Sequence, residues 1–369
     1  RARQQQHQSG HSMRFTGRPS ADKAQLLGYM EAALRRAIEA QQLTLDWDEP
    51  APSESFRVRL FDPAEVQSTL ALYGDKEARA SVSFLKALGK QSEWRQLAPP
   101  PEPAALVALA EQFPNFSDVV RFVEELNTLS RLRPRSPLMI PPILLDGPAG
   151  IGKTAFSLAL ASTLGTEHWH LAMGHSTASF DLGGLDAGYV GGGPGLLARK
   201  IGLGKQADPV ILLDEIDRAP EQSNSDPLGP LFDLLEPRTA REFSDDGLKI
   251  KMDLSRVRWF ATTNNAERLD PALRSRFKLF RVQAPTPQQV RGIAVRQYAQ
   301  LLREHPWGVY FEPALPEPVL AALARHTPRD LARALHSACA RAAQAGRSAL
   351  STADFDPPPA SDRRPIGFT

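Results

Sequence analysis

The stretch spanning residues 143–155 constrains the fold more than any other part of the sequence. Residues 147–154 fit the pattern G-x-x-x-x-G-K-[ST] of the phosphate-binding P-loop. Residues 143–145 are an apolar run typical of a buried strand, and residues 156–164 have helical composition without a breaker. A glycine-rich turn is the alternative. The flanking strand and helix argue against it, because a P-loop requires this order of strand, loop and helix. The stretch therefore predicts a strand and a helix joined by a phosphate-binding loop.

The P-loop predicts a site for the phosphate chain of a nucleotide. Its glycines let backbone N–H groups approach phosphate oxygens, with help from the positive end of the helix dipole. We expect Lys153 to contact the β- and γ-phosphates and Thr154 to bind Mg²⁺. The predicted cofactors are ATP and Mg²⁺. The predicted nucleotide-binding residues are Gly147, Pro148, Ala149, Gly150, Ile151, Gly152, Lys153 and Thr154, together with Asp214 of the next motif.

A second motif, VILLDEID at residues 210–217, is an apolar strand that runs into carboxylates. A carboxylate at the carboxyl end of a parallel strand lies at the sheet edge where ligands collect. We expect Asp214 to hold Mg²⁺, directly or through a water molecule, and Glu215 to orient and polarise the attacking water. The structural alternative is an acidic helix N-terminus. The P-loop upstream favours the catalytic interpretation.

Four further polar residues follow in the order expected of a nucleotide-hydrolysing domain. Asn264 ends the apolar stretch 259–264, where its amide could bond both the γ-phosphate and the water. Arg274 and Arg276 follow near a strand end, which suggests an arginine finger acting on a neighbouring subunit's nucleotide. A surface basic cluster is the alternative for this pair. Arg329 opens a helix and could reach back to the nucleotide.

The alternation of strands and helices predicts an α/β fold built on a parallel sheet with helices on both faces. We expect a nucleotide-binding domain over residues 104–285 and a helical lid over residues 286–355. A mostly helical N-terminal region over residues 21–98 would act as an adaptor or as a spacer, and a proline-rich linker would span residues 99–103. Residues 1–20 and 356–369 are predicted to be a disordered leader and tail; whether residues 1–12 are native stays open.

Composition limits the classes of function. The sequence has 44 Lys and Arg residues against 42 Asp and Glu residues, a net charge of +2, which argues against a broadly basic nucleic-acid surface but not against a local patch. A single cysteine, Cys339, fits a reducing compartment. No apolar run approaches the roughly 20 residues of a membrane span. We therefore expect a cytoplasmic protein without a membrane partner, and we interpret His168 and His170 as structural rather than as metal ligands.

Together these motifs resemble AAA+ ATPases, and most of all the ATPase module of the Lon proteases. The resemblance covers roughly residues 137–355 and rests on several separated stretches that agree in order. They are GYVGGGPG at 188–195, DPL at 226–228, LLEP at 234–237, FSDDGL at 243–248, DLS at 253–255 and FATTN at 260–264.

The resemblance implies a fold and a set of roles. The fold would be an AAA+ P-loop α/β domain followed by a helical lid. Asn264 is similar to sensor 1, Arg329 to the sensor 2 arginine, and Arg276 rather than Arg274 to the arginine finger. Tyr189 and Val190 resemble the pore loop that grips substrate polypeptide; local packing of Tyr189 is the alternative.

The expected function is that of a Mg²⁺-dependent ATPase motor that remodels protein substrates in a homo-oligomeric ring, with six subunits as the expected number. The residues after Phe355 are too few for the Ser-Lys peptidase domain of Lon, so we expect any proteolysis to need either a separate peptidase or a part of the gene that is missing from this chain. Two alternatives stay open: a nucleic-acid-directed AAA+ motor and a nucleotide-gated scaffold with little turnover. Balanced charge and the aromatic loop disfavour the first, and Glu215 and Arg276 disfavour the second.

Overall fold

The computed structural model describes residues 56–73, 79–132, 136–175, 180–186, 188–189, 191–219 and 226–355. All of them fall within one compact unit. The predicted leader and tail, residues 21–55 of the predicted N-terminal region and the pore-loop residue Val190 lie outside these ranges.

The described part of the N-terminal region contains two helices and a two-stranded antiparallel ribbon. Asp62 caps the first helix, because its carboxylate accepts the Ala64 N–H at 2.9 Å. Pro63 occupies the first turn, where its missing N–H costs nothing. In chain order the elements are β1 (Arg57–Arg59), α1 (Pro63–Leu72), α2 (Arg79–Leu88) and β2 (Trp94–Gln96).

The nucleotide-binding domain follows with alternating helices and strands. Its elements are α3 (Pro103–Gln112), α4 (Ser117–Arg131), β3 (Ile143–Asp146), α5 (Lys153–Thr163), β4 (His168–Ala172), α6 (Phe180–Gly183), α7 (Leu196–Gly202), β5 (Val210–Asp214), α8 (Leu231–Leu234), α9 (Pro237–Ala240), β6 (Phe243–Ser244), β7 (Lys251–Met252), β8 (Arg258–Thr263), α10 (Pro271–Arg274) and β9 (Lys278–Arg281).

Five of these strands form a parallel sheet in the order β4-β5-β8-β3-β9. Because all the strands run the same way, their carboxyl ends lie along one edge of the sheet. The non-sequential order puts the end of β3, from which the P-loop leaves, beside the end of β8. The order also puts the end of β5 next along the edge. The predicted parallel α/β sheet is confirmed.

Helices cover both faces of this sheet, as alternating side chains require. On β3, Leu144 contributes to one buried core, whereas Ile143 and Leu145 contribute to the other. On β8, Trp259 and Phe260 divide in the same way. Helices α3, α4 and α5 pack on the second face, while α2 and α7 pack on the first.

The described N-terminal residues share the first of these cores. Phe61 and Leu85 are buried in the same cluster as Trp259 of the sheet. Several polar contacts join this region to the domain. Among them, the Ser81 hydroxyl donates to the Gly247 carbonyl at 2.6 Å, and buried Arg95 donates from Nε to the Ile201 carbonyl at 3.1 Å. The sequence did not predict this packing, and the division of the chain into domains at residues 99–103 and 285 stays a prediction.

A helical lid ends the described chain, with α11 (Pro287–Glu304), α12 (Glu317–Leu323) and α13 (Pro328–Gln344). Its start is fixed by a capping box in which Thr286 and Gln289 satisfy each other's backbone N–H groups. The lid has its own apolar core, which includes Tyr298, Leu335 and Cys339. Burial raises the pKa of the Cys339 thiol to about 11, so this cysteine is a neutral core residue.

Two elements differ from the expectation. Strand β9 was not predicted, because four residues of sequence KLFR on the edge of a sheet give too short and too polar a signal. The sequence pattern over residues 228–235 predicts a longer helix, but the structure has only the single turn of α8 there.

Candidate active site

The P-loop lies between the end of β3 and the start of α5, and its glycines are required by its geometry. Gly150 and Gly152 have φ values of 80° and 103°, in the left-handed region that side chains disfavour. At Gly147 a Cβ atom would lie 2.3 Å from the carbonyl oxygen of Val282, so the backbone could not approach the end of β9 this closely with a side chain. The predicted phosphate loop therefore has the conformation that its motif demands.

Lys153 opens helix α5 and is buried inside this loop. Its ammonium donates to the carbonyl of Gly147, to that of Pro148 at 3.1 Å and to the amide oxygen of Asn264 at 3.1 Å. Burial lowers the pKa of Lys153, while the Asp214 and other nearby carboxylates act against this shift. Lys153 and Asn264, which are 111 residues apart in sequence, are thus brought into direct contact.

Asp214 receives hydrogen bonds from three directions at the end of β5. The Thr262 hydroxyl donates to Oδ1 at 2.5 Å, His170 Nε2 donates to Oδ2 at 2.9 Å, and the Thr154 hydroxyl lies 3.3 Å from Oδ2. Burial acts to raise the pKa of Asp214, but these hydrogen bonds outweigh it and hold the pKa below its ordinary value. Asp214 is therefore a carboxylate anion at neutral pH.

The donor set of Thr154 and Asp214 fits Mg²⁺. A hydroxyl and a carboxylate are hard oxygen ligands of the kind that Mg²⁺ prefers, and the cation usually completes its shell with water and substrate phosphates. The residues that the structure describes contain no cluster of three or more His, Cys, Asp or Glu side chains arranged for a metal. These two residues would therefore share the cation with a nucleotide.

Glu215 follows Asp214 in a left-handed backbone conformation, with a φ of 52°. The conformation is held by its N–H, which donates to the Thr262 hydroxyl at 2.9 Å. The Glu215 carboxylate forms an ion pair with Arg218 at 2.8 Å, and it is 41% exposed. Because both partners reach solvent, this pair is a weak restraint on the glutamate.

A cavity of about 570 Å³ joins these groups to the lid and to the helices before the sheet. Glu215 and Asn264 line it together with the P-loop, and so does Arg329 at the start of α13. The Arg329 N–H lies 3.4 Å from the Gly150 carbonyl, so the lid directly contacts the P-loop.

The far wall of the cavity was not predicted from the sequence. It is formed by residues of two helices, α3 with the turn after it and α11, namely Gln112, Phe113, Asn115, Ile293, Arg296, Gln297 and Gln300. The Arg296 guanidinium donates to the Gln112 carbonyl at 3.2 Å and thereby ties the two helices together. No motif marks these positions, because two distant segments form the wall jointly.

The two arginines considered for the predicted arginine finger, Arg274 and Arg276, lie outside this cavity. Arg276 donates to the carbonyls of Phe232, at 3.2 Å, and Ala272, at 2.9 Å, and its guanidinium lies 4.9 Å from the centre of the Phe232 ring. Arg274 pairs with Glu267. Neither arginine lines the nucleotide cavity of its own chain.

Tyr189 lies at the tip of a hairpin-like loop and is 68% exposed. Below it, the backbones of Leu185 and Gly193 exchange hydrogen bonds at 2.9 and 2.8 Å. Asp186 at the side of the loop forms an ion pair with Lys249 at 2.7 Å. The loop thus presents an aromatic side chain to solvent on a fixed base.

The base of this loop is held by Asp245, a fully buried carboxylate that the sequence did not single out. It accepts hydrogen bonds from the backbone N–H groups of Gly195, Gly247 and Leu248 at 2.9 to 3.1 Å. Burial outweighs these bonds and raises the pKa of Asp245 to about 6.

The fold and the site together define the class. A parallel sheet with a P-loop, strand-end carboxylates and a lid over the nucleotide cavity is the arrangement of an AAA+ ATPase domain. Residues 143–284 match the model of the ATPase family associated with various cellular activities (AAA). The chain carries an AAA ATPase domain, as the sequence motifs predicted.

Within that class the chain resembles the ATPase modules of Lon proteases. It is 32% identical to the Lon protease of Flavobacterium johnsoniae over 168 residues, which is 46% of this chain and 21% of that protein. It is 28% identical to the Lon protease of Rhizobium meliloti over 277 residues, 74% of this chain and 33% of that protein. The chain thus spans between a fifth and a third of the length of these curated relatives.

A solved structure with a similar fold is the RuvB Holliday junction branch migration motor of Thermotoga maritima, 19% identical, with a TM-score of 0.44 over 64% of this chain and 66% of that one.

Among the described residues, no helix combines the length and the apolar character that a membrane span requires.

Proposed function

We propose that this chain is an ATP-hydrolysing AAA+ motor that assembles into a homo-oligomeric ring, with six subunits as the expected number, and remodels polypeptide substrates. One observation carries the ATPase part of the proposal. At one edge of the sheet Lys153 is hydrogen-bonded to Asn264 and Thr154 to Asp214, and all four residues line one cavity. Such a group supplies the cation, the carboxylate and the amide that phosphoryl transfer requires.

Each residue has a role that follows from its position. The Lys153 ammonium would exchange its loop carbonyls for the β- and γ-phosphate oxygens, which would also compensate its burial. Thr154 and Asp214 would hold Mg²⁺, which supplies charge neutralisation between the phosphates. Glu215 would accept a hydrogen bond from the attacking water after leaving Arg218, and Asn264 would orient that water. Arg329 would contact the nucleotide from the lid.

The assembly part of the proposal is supported by Arg276. Its guanidinium is held on Phe232 and does not line the cavity of its own chain, which fits a contact with the γ-phosphate of a neighbouring subunit. A ring gives every subunit such a neighbour.

The substrate part is supported by Tyr189 on its anchored loop. An exposed aromatic ring offers broad apolar contact without demanding one sequence, which suits a motor that grips varied polypeptides. Val190 would add apolar area.

Substitution of Tyr189 by alanine tests this function in the full chain. We expect Tyr189→Ala to lower the stimulation of ATPase by an unfolded polypeptide at least about fivefold, as the loss of an interface anchor does. Nucleotide affinity should not change, because Tyr189 does not line the cavity. Unfolding of a tagged fluorescent reporter protein should fall in parallel.

Tyr310 provides a matched control, since it is a tyrosine of the lid that is 75% exposed. Tyr310→Ala should keep polypeptide stimulation. Strong stimulation of the wild type by DNA, with normal polypeptide stimulation of Tyr189→Ala, would replace polypeptide remodelling by a nucleic-acid-directed motor. Nucleotide binding without turnover in the wild type would indicate a scaffold instead.

A further inference from the structure

His170 contacts the site from a strand that carries no nucleotide-binding motif. Strand β4 is the edge strand beside β5, and His170 lies opposite Leu212 in the register, two residues before the pair of Ala172 and Asp214. Its imidazole is 43% exposed, and its Nε2 lies 2.9 Å from Oδ2 of Asp214. Because the carboxylate can only accept, the proton of this hydrogen bond belongs to His170 Nε2.

The face of β4 that carries His170 is turned toward the P-loop helix. Side chains two residues apart on a strand share a face, so His168 and His170 lie on the same side. His168 Nε2 lies 3.1 Å from the hydroxyl of Ser157 on α5. The two histidines therefore have separate partners: His168 joins the edge strand to the helix, and His170 joins it to the carboxylate.

The two oxygens of Asp214 are held from opposite sides. Oδ1 accepts from Thr262 on β8 at 2.5 Å, and Oδ2 accepts from His170 on β4 at 2.9 Å. Strands β8 and β4 flank β5, which carries the carboxylate. Rotation of the carboxylate about its Cβ–Cγ bond would break both bonds, so the pair of donors fixes its plane. A hydrogen bond to a charged acceptor is also stronger than one between neutral groups.

We propose that His170 is a positioning residue for the divalent cation: it donates Nε2–H to Asp214 and, together with Thr262, orients the carboxylate for metal binding. The proposal rests on the ATPase function proposed above, since that function gives Asp214 its metal. Partners that orient a ligand in this way typically contribute 10- to 100-fold in metal affinity.

Substitution of His170 by glutamine or by asparagine distinguishes orientation of the Asp214 carboxylate from simple packing of the side chain. Glutamine places an N–H close to the position of His170 Nε2, whereas asparagine is one methylene shorter and cannot reach Asp214 from the same backbone. Both remove the ring and both are neutral. We expect His170→Asn and His170→Ala to weaken Mn²⁺ binding about tenfold, and His170→Gln to stay within about threefold of the wild type.

The measurement is the titration of Mn²⁺ into the full chain with ADP, followed by electron paramagnetic resonance at about pH 8, where an ordinary imidazole is neutral. ADP affinity in the presence of a chelator should be equal in all variants, and thermal melting should show that each is folded. The Mg²⁺ concentration for half-maximal ATPase should shift in the same order as the Mn²⁺ affinity.

Wild-type Mn²⁺ affinity in His170→Asn and His170→Ala would overturn the proposal while leaving the ATPase function intact. Equal losses in the glutamine and asparagine variants would also overturn it, because they would indicate packing of the strand rather than orientation of the carboxylate. A wild type that binds neither ADP nor Mn²⁺–ADP would contradict both this proposal and the ATPase function.

Discussion

At the scale of single residues, Lys153 and Glu215 occupy the same cavity with different partners. Lys153 is buried and bonded to the P-loop and to Asn264, whereas the Glu215 side chain is partly exposed and forms an ion pair with Arg218. Lys153 is therefore part of the binding surface, whereas Glu215 is free to leave Arg218 for the attacking water. Binding and turnover should therefore be separable by substitution.

We expect Lys153→Ala to abolish nucleotide binding, because the loop would lose the cation that faces the phosphates. Glu215→Gln should bind ATP normally and lose hydrolysis at least about 100-fold, the usual contribution of a positioned general base. A fluorescent ATP analogue measures the first property and phosphate release the second. Hydrolysis at the wild-type rate in Glu215→Gln would remove this residue from its proposed role.

At the scale of elements, the loop that carries Tyr189 depends on the buried carboxylate of Asp245. The Gly195 N–H bonds Asp245 at one end of the loop, and the Leu185–Gly193 pair closes its neck. Gly247 is held from the other side by the hydroxyl of Ser81 on α2. The N-terminal region and the aromatic loop are thus connected through one short turn.

The raised pKa of Asp245 makes the free energy of unfolding depend on pH, and the direction of the pKa shift sets the sign of that dependence. The pKa of about 6 lies above the ordinary value of an unfolded aspartate. Its contribution to stability is therefore complete below about pH 4 and is lost as pH rises through about 6. Relative to Asp245→Asn, the wild type should lose about 3 kcal/mol of unfolding free energy across this window and change little above about pH 7.

Urea unfolding at a series of pH values measures this difference. Asp246→Asn is the control, because it removes the same charge from the neighbouring exposed position and should give no such window. A wild type and an Asp245→Asn variant that change in parallel from about pH 4 to pH 7 would contradict the raised pKa.

At the scale of the whole molecule, the lid and the sheet meet directly at the nucleotide cavity. The backbone N–H of Arg329 lies 3.4 Å from the Gly150 carbonyl, and a Cβ on Gly150 would contact Thr327. Movement of the P-loop on binding a nucleotide would therefore press on the lid.

If Arg276 completes a neighbour's site, Arg276→Ala should bind ATP normally and hydrolyse it about 10³-fold more slowly, the scale of an arginine finger. Mixing it with Lys153→Ala should restore part of the activity, since some interfaces then combine an intact pocket with an intact arginine. Light scattering should detect ATP-dependent assembly. A fully active monomer at every concentration would rule out action between subunits.

The sequence by itself determined the lid, the phosphate end of the site and the sheet apart from its edge strand β9. Lys153 and Thr154 are fixed by one contiguous loop, and Asp214 by the end of an apolar strand. Because parallel strands bring their carboxyl ends to a common edge, local pattern alone predicts that these residues meet there. Apolar periodicity was likewise sufficient for α11 and α13, whose buried residues recur at three- and four-residue spacing along one face of each helix.

Only the tertiary structure decided which distant side chains complete that site. Gln112 and Arg296 form the far wall although 184 residues separate them, and His170 reaches Asp214 across 44 residues. The packing of Phe61 and Leu85 against the sheet is equally non-local. The local sequence pattern shows which face of an element is apolar, but it does not show which other element packs against that face. Such contacts depend on strand order and helix placement, which arise from the packing of the whole chain.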